Sequence, residues 1–236
     1  MLFCEKEQRR RAKMLITCPE CGHEISTKAT ICPGCGYSVD KAVKDAAFTS
    51  YILGLRYSLG FGNCEQNYEE AAKEFLKAAE LGDTKSQIEV GTFYENGTGV
   101  SQDYRMAAKW YQKAAKQGST LGQYNLGCLY ESGKGVVQDY QKAAEMYQKA
   151  SGNANAEYRL GCLYENGKGV PQSYPKAAEL YTSAMKHEQT DAKYNLSVLY
   201  EHGLGVQKDK LIALKLLLSA AECGNLRAKR KIDELM

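Results

Sequence analysis

The apolar and small residues of this chain recur at a nearly fixed interval. A pattern close to Leu-Gly-x-x-Tyr occurs five times, and successive copies lie 37, 36, 34 and 36 residues apart. The copies begin at Leu53, Val90, Leu126, Leu160 and Leu196. A period of about 20 to 50 residues is typical of repeat proteins, in which each repeat is one supersecondary unit. The spacing therefore predicts five similar units stacked along the chain.

A turn with two glycines follows each copy of the pattern. In the first repeat it reads Gly60-Phe61-Gly62-Asn63, and the other four repeats have Gly-x-Gly-Val. These four turns are Gly97–Val100, Gly133–Val136, Gly167–Val170 and Gly203–Val206. Glycine reaches positive φ without steric cost, so it commonly ends a helix and lets the chain reverse. Each turn thus predicts the end of a first helix and a return in the opposite direction.

A second helix is predicted after each turn. It opens at a polar residue followed by tyrosine, and such polar residues cap the free amides of a helix N-terminus. The openings are Asn67-Tyr68, Asp103-Tyr104, Asp139-Tyr140 and Ser173-Tyr174. An Ala-Ala pair such as Ala143-Ala144 follows and lets helices approach closely, and the large residue after it, such as Tyr147 or Tyr181, fills the gap between neighbouring repeats. Residues 225–236 have Ala228 in the register of a further first helix and predict a polar capping helix.

The segment Ala107-Ala108-Lys109-Trp110-Tyr111-Gln112-Lys113-Ala114-Ala115 resembles the second helix of the Sel1-like repeat family, a relative of the tetratricopeptide repeats. The resemblance covers roughly residues 46–224. It implies an all-α fold, a right-handed α/α solenoid of about five helical hairpins with a C-terminal capping helix. Ser197, Lys210 and the leucine-rich stretch Leu214–Leu218 depart from the family pattern. We assign residues 40–236 to this solenoid.

Four of the nine cysteines form two Cys-Pro-x-Cys-Gly units, with Cys18 and Cys21 in the first and Cys32 and Cys35 in the second. Two such pairs supply the four thiolates of a tetrahedral zinc site, which leaves no position for a catalytic water. Residues 15–39 resemble a bacterial zinc-ribbon module, and we expect one structural Zn²⁺ per chain. A redox Cys-x-x-Cys is the alternative, but it requires a thioredoxin-like βαβ setting. His23 is expected to be a surface residue.

Composition and charge indicate an ordinary protein of the cytoplasm. The 236 residues carry 31 Lys and Arg against 28 Asp and Glu, for a net charge of +3. This balance lacks the strong basic excess of a dedicated nucleic-acid domain. No apolar run reaches the length of a membrane helix, and no secretory signal is recognisable. Export as an effector by another route stays open.

The N-terminal residues 1–14 are predicted to be an extension that precedes the ribbon. Our hypothesis is that translation starts at Met14 and that residues 1–13 are unstructured or misassigned. The extension carries basic residues at Arg9, Arg10, Arg11 and Lys13. An alternative function follows from them, in which the ribbon and this basic segment contact DNA or RNA.

Catalytic motifs are not recognisable, so we expect a non-enzymatic scaffold or adaptor for a protein or peptide partner. In the tetratricopeptide relatives the first helices line a concave groove. The resemblance places on that face Tyr51, Tyr124, Tyr158 and Tyr194, then Cys128 and Cys162, then Glu95, Glu131, Glu165 and Glu201. Such tyrosines and glutamates suit a segment with basic residues. Alternatively they serve the fold alone, and the two cysteines are interpreted as small packing residues.

Overall fold

The computed structural model describes residues 15–62 and 64–234. The described part is mainly helical, with one small sheet of two strands. The predicted series of helical hairpins, preceded by the cysteine-containing segment, is confirmed. The predictions about residues 1–14 and about Asn63 lie outside the described residues.

The described elements follow one another in a simple order. The strands are β1 (Leu15–Thr17) and β2 (Glu24–Ser26). The first helices of the hairpins are α1 (Val39–Leu59), α3 (Thr84–Asn96), α5 (Thr120–Ser132), α7 (Ala154–Asn166) and α9 (Thr190–His202). The second helices are α2 (Tyr68–Glu80), α4 (Tyr104–Lys116), α6 (Tyr140–Lys149), α8 (Tyr174–Lys186) and α10 (Lys210–Glu222), and the chain continues into α11 (Leu226–Asp233).

The chain divides into two compact units, the first ending at Asp103 and the second beginning at Tyr104. The first unit contains both strands and α1 to α3, and the second contains α4 to α11. The boundary placed near residue 39 from the sequence stays a prediction. No described helix has the length and the apolar character needed to cross a bilayer.

In the first unit the cysteine-containing segment and helix α1 share one apolar core. Strands β1 and β2 are antiparallel, and Ile16 pairs with Ile25. Both side chains are buried with Val39 and Ala42 of α1. Helix α1 has 21 residues, whereas α3 has 13, and its additional N-terminal turns carry this contact. The segment is therefore packed against α1 through a shared core.

In the second unit an aromatic ring of each second helix packs against the glycine of the Leu-Gly pattern. A Cβ added at Gly161 would lie 2.6 Å from the ring of Tyr181, and Gly127 stands in the same relation to Tyr147. A side chain at these glycines would collide with the ring. In the fifth hairpin Leu217 stands at the position of the ring and Ser197 at the position of the glycine.

The two glycines of each turn have different tasks, as the turn after α7 shows. Gly167 ends the helix in the left-handed region at φ 66°, and its N–H donates to the carbonyl of Leu163. Gly169, at φ 70°, approaches the first residue of helix α6, where a Cβ would lie 2.3 Å from the carbonyl carbon of Tyr140. The turn of one hairpin thus rests directly on the backbone of the hairpin before it.

Predicted helix starts are also confirmed. The side chains of Asn67, Asp139 and Ser173 each accept a hydrogen bond from an amide in the first turn of the following helix. Helix α11 is capped in the same way by Asn225, and its Ala228 is fully buried against the preceding hairpin. The C-terminal capping helix predicted from Ala228 is therefore present.

Candidate metal centre and Tyr–Glu face

The two cysteine units fold into the same local structure. The amide of Cys18 donates to the carbonyl of His23 at 2.8 Å, and the amide of Cys32 donates to that of Tyr37 at 2.8 Å. Gly22 and Gly36 adopt φ of 73° and 75°, values at which other residues are strained. The glycine after each second cysteine is thus required by the turn.

The turns bring the four cysteine sulfurs together. All four Sγ atoms lie within 4.8 Å of one another, and the pairs Cys18–Cys35 and Cys21–Cys32 are 3.5 Å apart. A tetrahedral Zn²⁺ with Zn–S bonds of about 2.3 Å separates its sulfurs by about 3.8 Å. The residues present fit zinc, and within the described residues no other His, Cys, Asp or Glu group has such a geometry.

The electrostatics of the cluster also suit a cation. Burial opposes ionisation of Cys32, but the amides of Gly34 and Cys35 and the neighbouring sulfurs lower its pKa to about 6. The Tyr37 amide favours the thiolate of Cys35, yet burial and the other three cysteines raise the pKa of Cys35 to about 12. The cluster thus favours the thiolate of Cys32 and opposes ionisation of Cys35, and a bound cation removes that opposition. His23 is exposed and its Nδ1 lies 3.6 Å from Cys21 Sγ, beside the four cysteines.

A second set of predicted residues lies on the first helices of the second unit. We call this set the Tyr–Glu face, and it consists of Tyr124 and Glu131 on α5, Tyr158 and Glu165 on α7, and Tyr194 and Glu201 on α9. All six side chains are half-buried. The predicted Tyr51 and Glu95 are also half-buried and lie in the first unit, on α1 and α3.

The carboxylates of this face are held by hydroxyl groups of the second helices. Tyr147 donates to Glu131 Oε2 at 2.6 Å, and Tyr181 donates to Glu165 Oε2. Burial, together with the adjacent cysteine and glutamate, raises the pKa of both tyrosines far above the usual range. From the sequence the two rings were expected only to fill space, so this role of their hydroxyl groups was missed.

Basic side chains from the next first helix also reach the face. Arg159 Nη1 lies 3.6 Å from Glu131 Oε1, and Lys231 of α11 forms an ion pair with Glu201. Arg159 stands two residues before Gly161 of the Leu-Gly pattern. The register of Ala228 with Ala156 places Lys231 at the equivalent position of α11. Sequence reasoning missed them, although this shared position would have been the signal.

Helix α11 places a second basic residue on the face. The guanidinium of Arg227 lies 4.6 Å from the ring centroid of Tyr194, and Arg227 Nη2 pairs with Asp191 at 3.0 Å. A cation over an aromatic ring is attracted by the ring quadrupole. The tyrosines of this face are therefore able to hold a basic side chain, and one of them does so within the chain.

Cys128 and Cys162 lie beneath these groups. The hydroxyls of Tyr147 and Tyr181 lie 3.5 and 3.4 Å from their sulfur atoms. Burial raises the pKa of both thiols, which disfavours the thiolate that a metal would bind. This environment agrees with the interpretation of the two cysteines as small packing residues.

Comparison with known families gives the hairpins a name. The Sel1 repeat profile matches the chain five times, at residues 50–83, 84–119, 120–153, 154–186 and 190–225. The chain belongs to the Sel1 repeat family. A zinc-ribbon domain profile matches residues 17–39, which contain all four clustered cysteines of this Sel1 repeat protein.

Solved structures agree with this assignment. A Sel1 repeat protein from Oxalobacter formigenes is 32% identical, with a TM-score of 0.73, and the match covers 80% of this chain and 75% of that one. A protective antigen of uropathogenic Escherichia coli strains with an SLR fold is 34% identical, with a TM-score of 0.74. That match covers 77% of this chain, which spans only 39% of the antigen. No curated protein matches the chain.

The family and the geometry together support a coarse functional statement. Sel1 repeat proteins are generally non-enzymatic scaffolds for protein interactions. The zinc-ribbon match and the four converging cysteines indicate zinc binding by the N-terminal segment.

Proposed function

We propose that this Sel1 repeat protein is a non-enzymatic adaptor that binds a protein or peptide partner on its Tyr–Glu face. The observation that carries the proposal is the regular row of half-buried tyrosines and glutamates on α5, α7 and α9. Tyrosine is enriched in protein interfaces because it combines a large apolar ring with a hydroxyl group. Hydrogen bonds from Tyr147 and Tyr181 fix two of the carboxylates before a partner arrives, which lowers the entropy cost of binding.

The zinc ribbon is assigned a structural part in this adaptor. Cys18, Cys21, Cys32 and Cys35 would hold one Zn²⁺, and four protein ligands leave no coordination position for a substrate. The metal supplies folding free energy to a segment with a very small apolar core. That core includes Val39 and Ala42 of α1, so the bound metal would also support the start of the first hairpin.

Site-specific photocrosslinking tests the proposed face. The photoreactive amino acid benzoylphenylalanine replaces Tyr158 in one variant and Val137 in another, and both are expressed in the host cell. Val137 is 88% exposed and lies in the turn after α5, away from the helical positions of the face. We expect a discrete partner to crosslink from position 158 and not from position 137. Equal crosslinking at both positions, or none at position 158, would contradict the proposal.

The alternative of nucleic-acid binding receives no support from the described part of the ribbon. Residues 15–39 contain one basic side chain, Lys28, and the acidic Glu20 and Glu24. The basic residues Arg9 to Lys13 lie outside the described residues. This alternative stays a hypothesis, and salt-sensitive binding to DNA or RNA is the measurement that would revive it.

A further inference from the structure

The three glutamates of the Tyr–Glu face have different electrostatic surroundings. Glu131 and Glu201 each have a basic partner within the chain, Arg159 and Lys231. Glu165 lies between them in the repeat order. Its carboxylate accepts a hydrogen bond from Tyr181, and within the described residues no Lys or Arg forms an ion pair with it. The middle repeat thus presents an acidic side chain whose charge is not balanced locally.

The difference arises at a single position of the repeat. Asn195 stands two residues before Ser197, the position that Arg159 and Lys231 hold in their own repeats. Its amide nitrogen donates to the hydroxyl of Tyr181 at 3.1 Å and lies 3.7 Å from the sulfur of Cys162. The shorter asparagine side chain is directed to these groups, so the carboxylate of Glu165 keeps an oxygen for another donor.

We propose that Glu165 binds an arginine or lysine side chain of the partner, in the position that Arg159 and Lys231 hold beside Glu131 and Glu201. This inference rests on the proposed function and specifies the chemistry of the partner. The chain itself shows the mode of binding twice, once on each side of Glu165. The partner therefore presents a basic segment to this repeat.

The neighbouring charges do not oppose such a side chain. Two other cations lie on this part of the face, Arg159, which pairs with Glu131, and Arg227, which packs on the ring of Tyr194. The charge of Arg227 is balanced by Asp191 at 3.0 Å. A basic side chain of the partner that approaches Glu165 thus meets a carboxylate without an ion-pair partner, and the nearby Arg227 is already paired. Because Glu165 is half-buried, an ion pair there is less screened by solvent than one on the open surface.

The sharpest test supplies a basic partner for Glu165 from the chain itself. In the variant Asn195→Arg the new guanidinium is expected to pair with Glu165 as Arg159 pairs with Glu131. The full-length protein is titrated with N-acetyl-arginine amide while the amide resonances of α7 and α9 are followed by NMR. We expect shifts around Glu165 in the wild type and their loss in Asn195→Arg. N-acetyl-citrulline amide, which is neutral and of nearly the same shape, should cause none of these shifts.

A second variant removes the charge without adding a side chain. Glu165→Gln should weaken binding of N-acetyl-arginine amide about five- to tenfold, which corresponds to the loss of one partly buried ion pair. Glu179→Gln is the matched control, because Glu179 is exposed on α8 and its substitution makes the same chemical change elsewhere in the unit. Unfolding midpoints of all variants show that the fold is retained.

The outcomes separate this inference from the proposed function. If blocked arginine binds the wild type, Glu165→Gln and Asn195→Arg equally, or binds none of them, the assignment to Glu165 is wrong. A partner that still crosslinks from position 158 in both variants would leave the adaptor function in place and overturn only this inference. Loss of that crosslink in Asn195→Arg, together with the arginine titration, would support it.

Discussion

The zinc ribbon and the hairpins of the second unit are stabilised in different ways. The ribbon buries Ile16 and Ile25 of its strands together with Val39 and Ala42 of α1, and its other buried residues before α1 are Cys18 and Cys32. Each hairpin of the second unit instead buries a repeated set of alanines, leucines and an aromatic ring, as around Tyr147 and around Tyr181. Segments shorter than about 40 residues seldom bury enough surface to fold without a metal or disulfides. We therefore expect the ribbon to depend on metal coordination and the hairpins of the second unit to depend on packing.

Metal removal should have the largest effect, because it should unfold the ribbon and leave the hairpins of the second unit folded. Structural zinc contributes about 10–16 kcal/mol to the folding of small zinc modules. We expect a chelator, or the variant Cys32→Ser, to abolish amide protection at Ile16 and Ile25 while α7 keeps its protection in hydrogen exchange. Cys223→Ser, an exposed cysteine outside the cluster, is the control. Freshly purified protein should contain about one zinc per chain, and protected strands without metal would show that the ribbon does not need it.

Substitution of a turn glycine should destabilise the hairpins of the second unit and leave the ribbon intact. Gly169→Ala forces a Cβ to within 2.3 Å of the Tyr140 backbone, which has no flexible side chain to give way. We expect a loss of about 3–5 kcal/mol in the free energy of unfolding. Gly152→Ala is the control, since Gly152 has φ 86° but nothing within 4 Å of its added Cβ. It should cost only about 1 kcal/mol.

Urea unfolding of both variants measures this difference. Zinc content and protection of the ribbon strands should not change in either variant. Equal losses for Gly169→Ala and Gly152→Ala would mean that backbone strain, and not the close approach to Tyr140, makes glycine necessary in the turn.

Alkaline pH should destabilise the second unit through its buried tyrosines. The pKa of Tyr147 and Tyr181 is raised by burial and by the adjacent cysteine and glutamate. These groups stay neutral in the folded chain but ionise near pH 10 when unfolded, so their contribution is full below about pH 10 and is lost above it. Each tyrosine can add a slope of at most about 1.4 kcal/mol per pH unit.

Tyr181→Phe provides the comparison for that slope. The variant lacks one titrating group, so its stability relative to the wild type should improve steadily between pH 9 and pH 11 in urea titrations. A constant difference across this range would show that Tyr181 ionises in the folded and unfolded chain alike.

The smallest expected effect is a gain in stability when Glu157 is replaced. This side chain is 8% exposed, and its Oε2 has no hydrogen-bond partner among the described residues. The equivalent Gln87 and Gln123 donate to carbonyls at the end of the preceding helix, at 3.2 and 3.5 Å. Glu157→Gln should therefore raise the free energy of unfolding by about 1 kcal/mol. Glu179→Gln at the surface should change it little, and a loss at position 157 would contradict this explanation.

Local patterns in the sequence predicted much of this molecule. The hairpins and the cysteine site depend on residues close together in the chain, such as the glycines of each turn and the Cys-x-x-Cys spacing. The ion pair of Arg159 with Glu131 was not predicted, because it joins two repeats and depends on how their helices are offset. The contact of Ile16 and Ile25 with Val39 was missed for a similar reason, since Val39 precedes the repeat pattern.

The sequence pattern treats the four glutamates as equivalent positions that suit a segment with basic residues. In the structure two of them, Glu131 and Glu201, already have basic partners inside the chain. Whether the face binds a partner stays a prediction. The structure narrows the question to Glu165, which a list of consensus positions could not distinguish from its neighbours.

The close approach of the turn glycines has a consequence for how such chains change in evolution. Within the second unit, Gly135, Gly169 and Gly205 each meet the backbone at the start of the preceding second helix, at Tyr104, Tyr140 and Tyr174. This part of the junction requires no particular side chain on its neighbour. Any hairpin with this turn therefore meets that requirement, so duplication or deletion of a whole hairpin preserves it. The length of the array is thus free to vary while the surface of each hairpin acquires its own specificity.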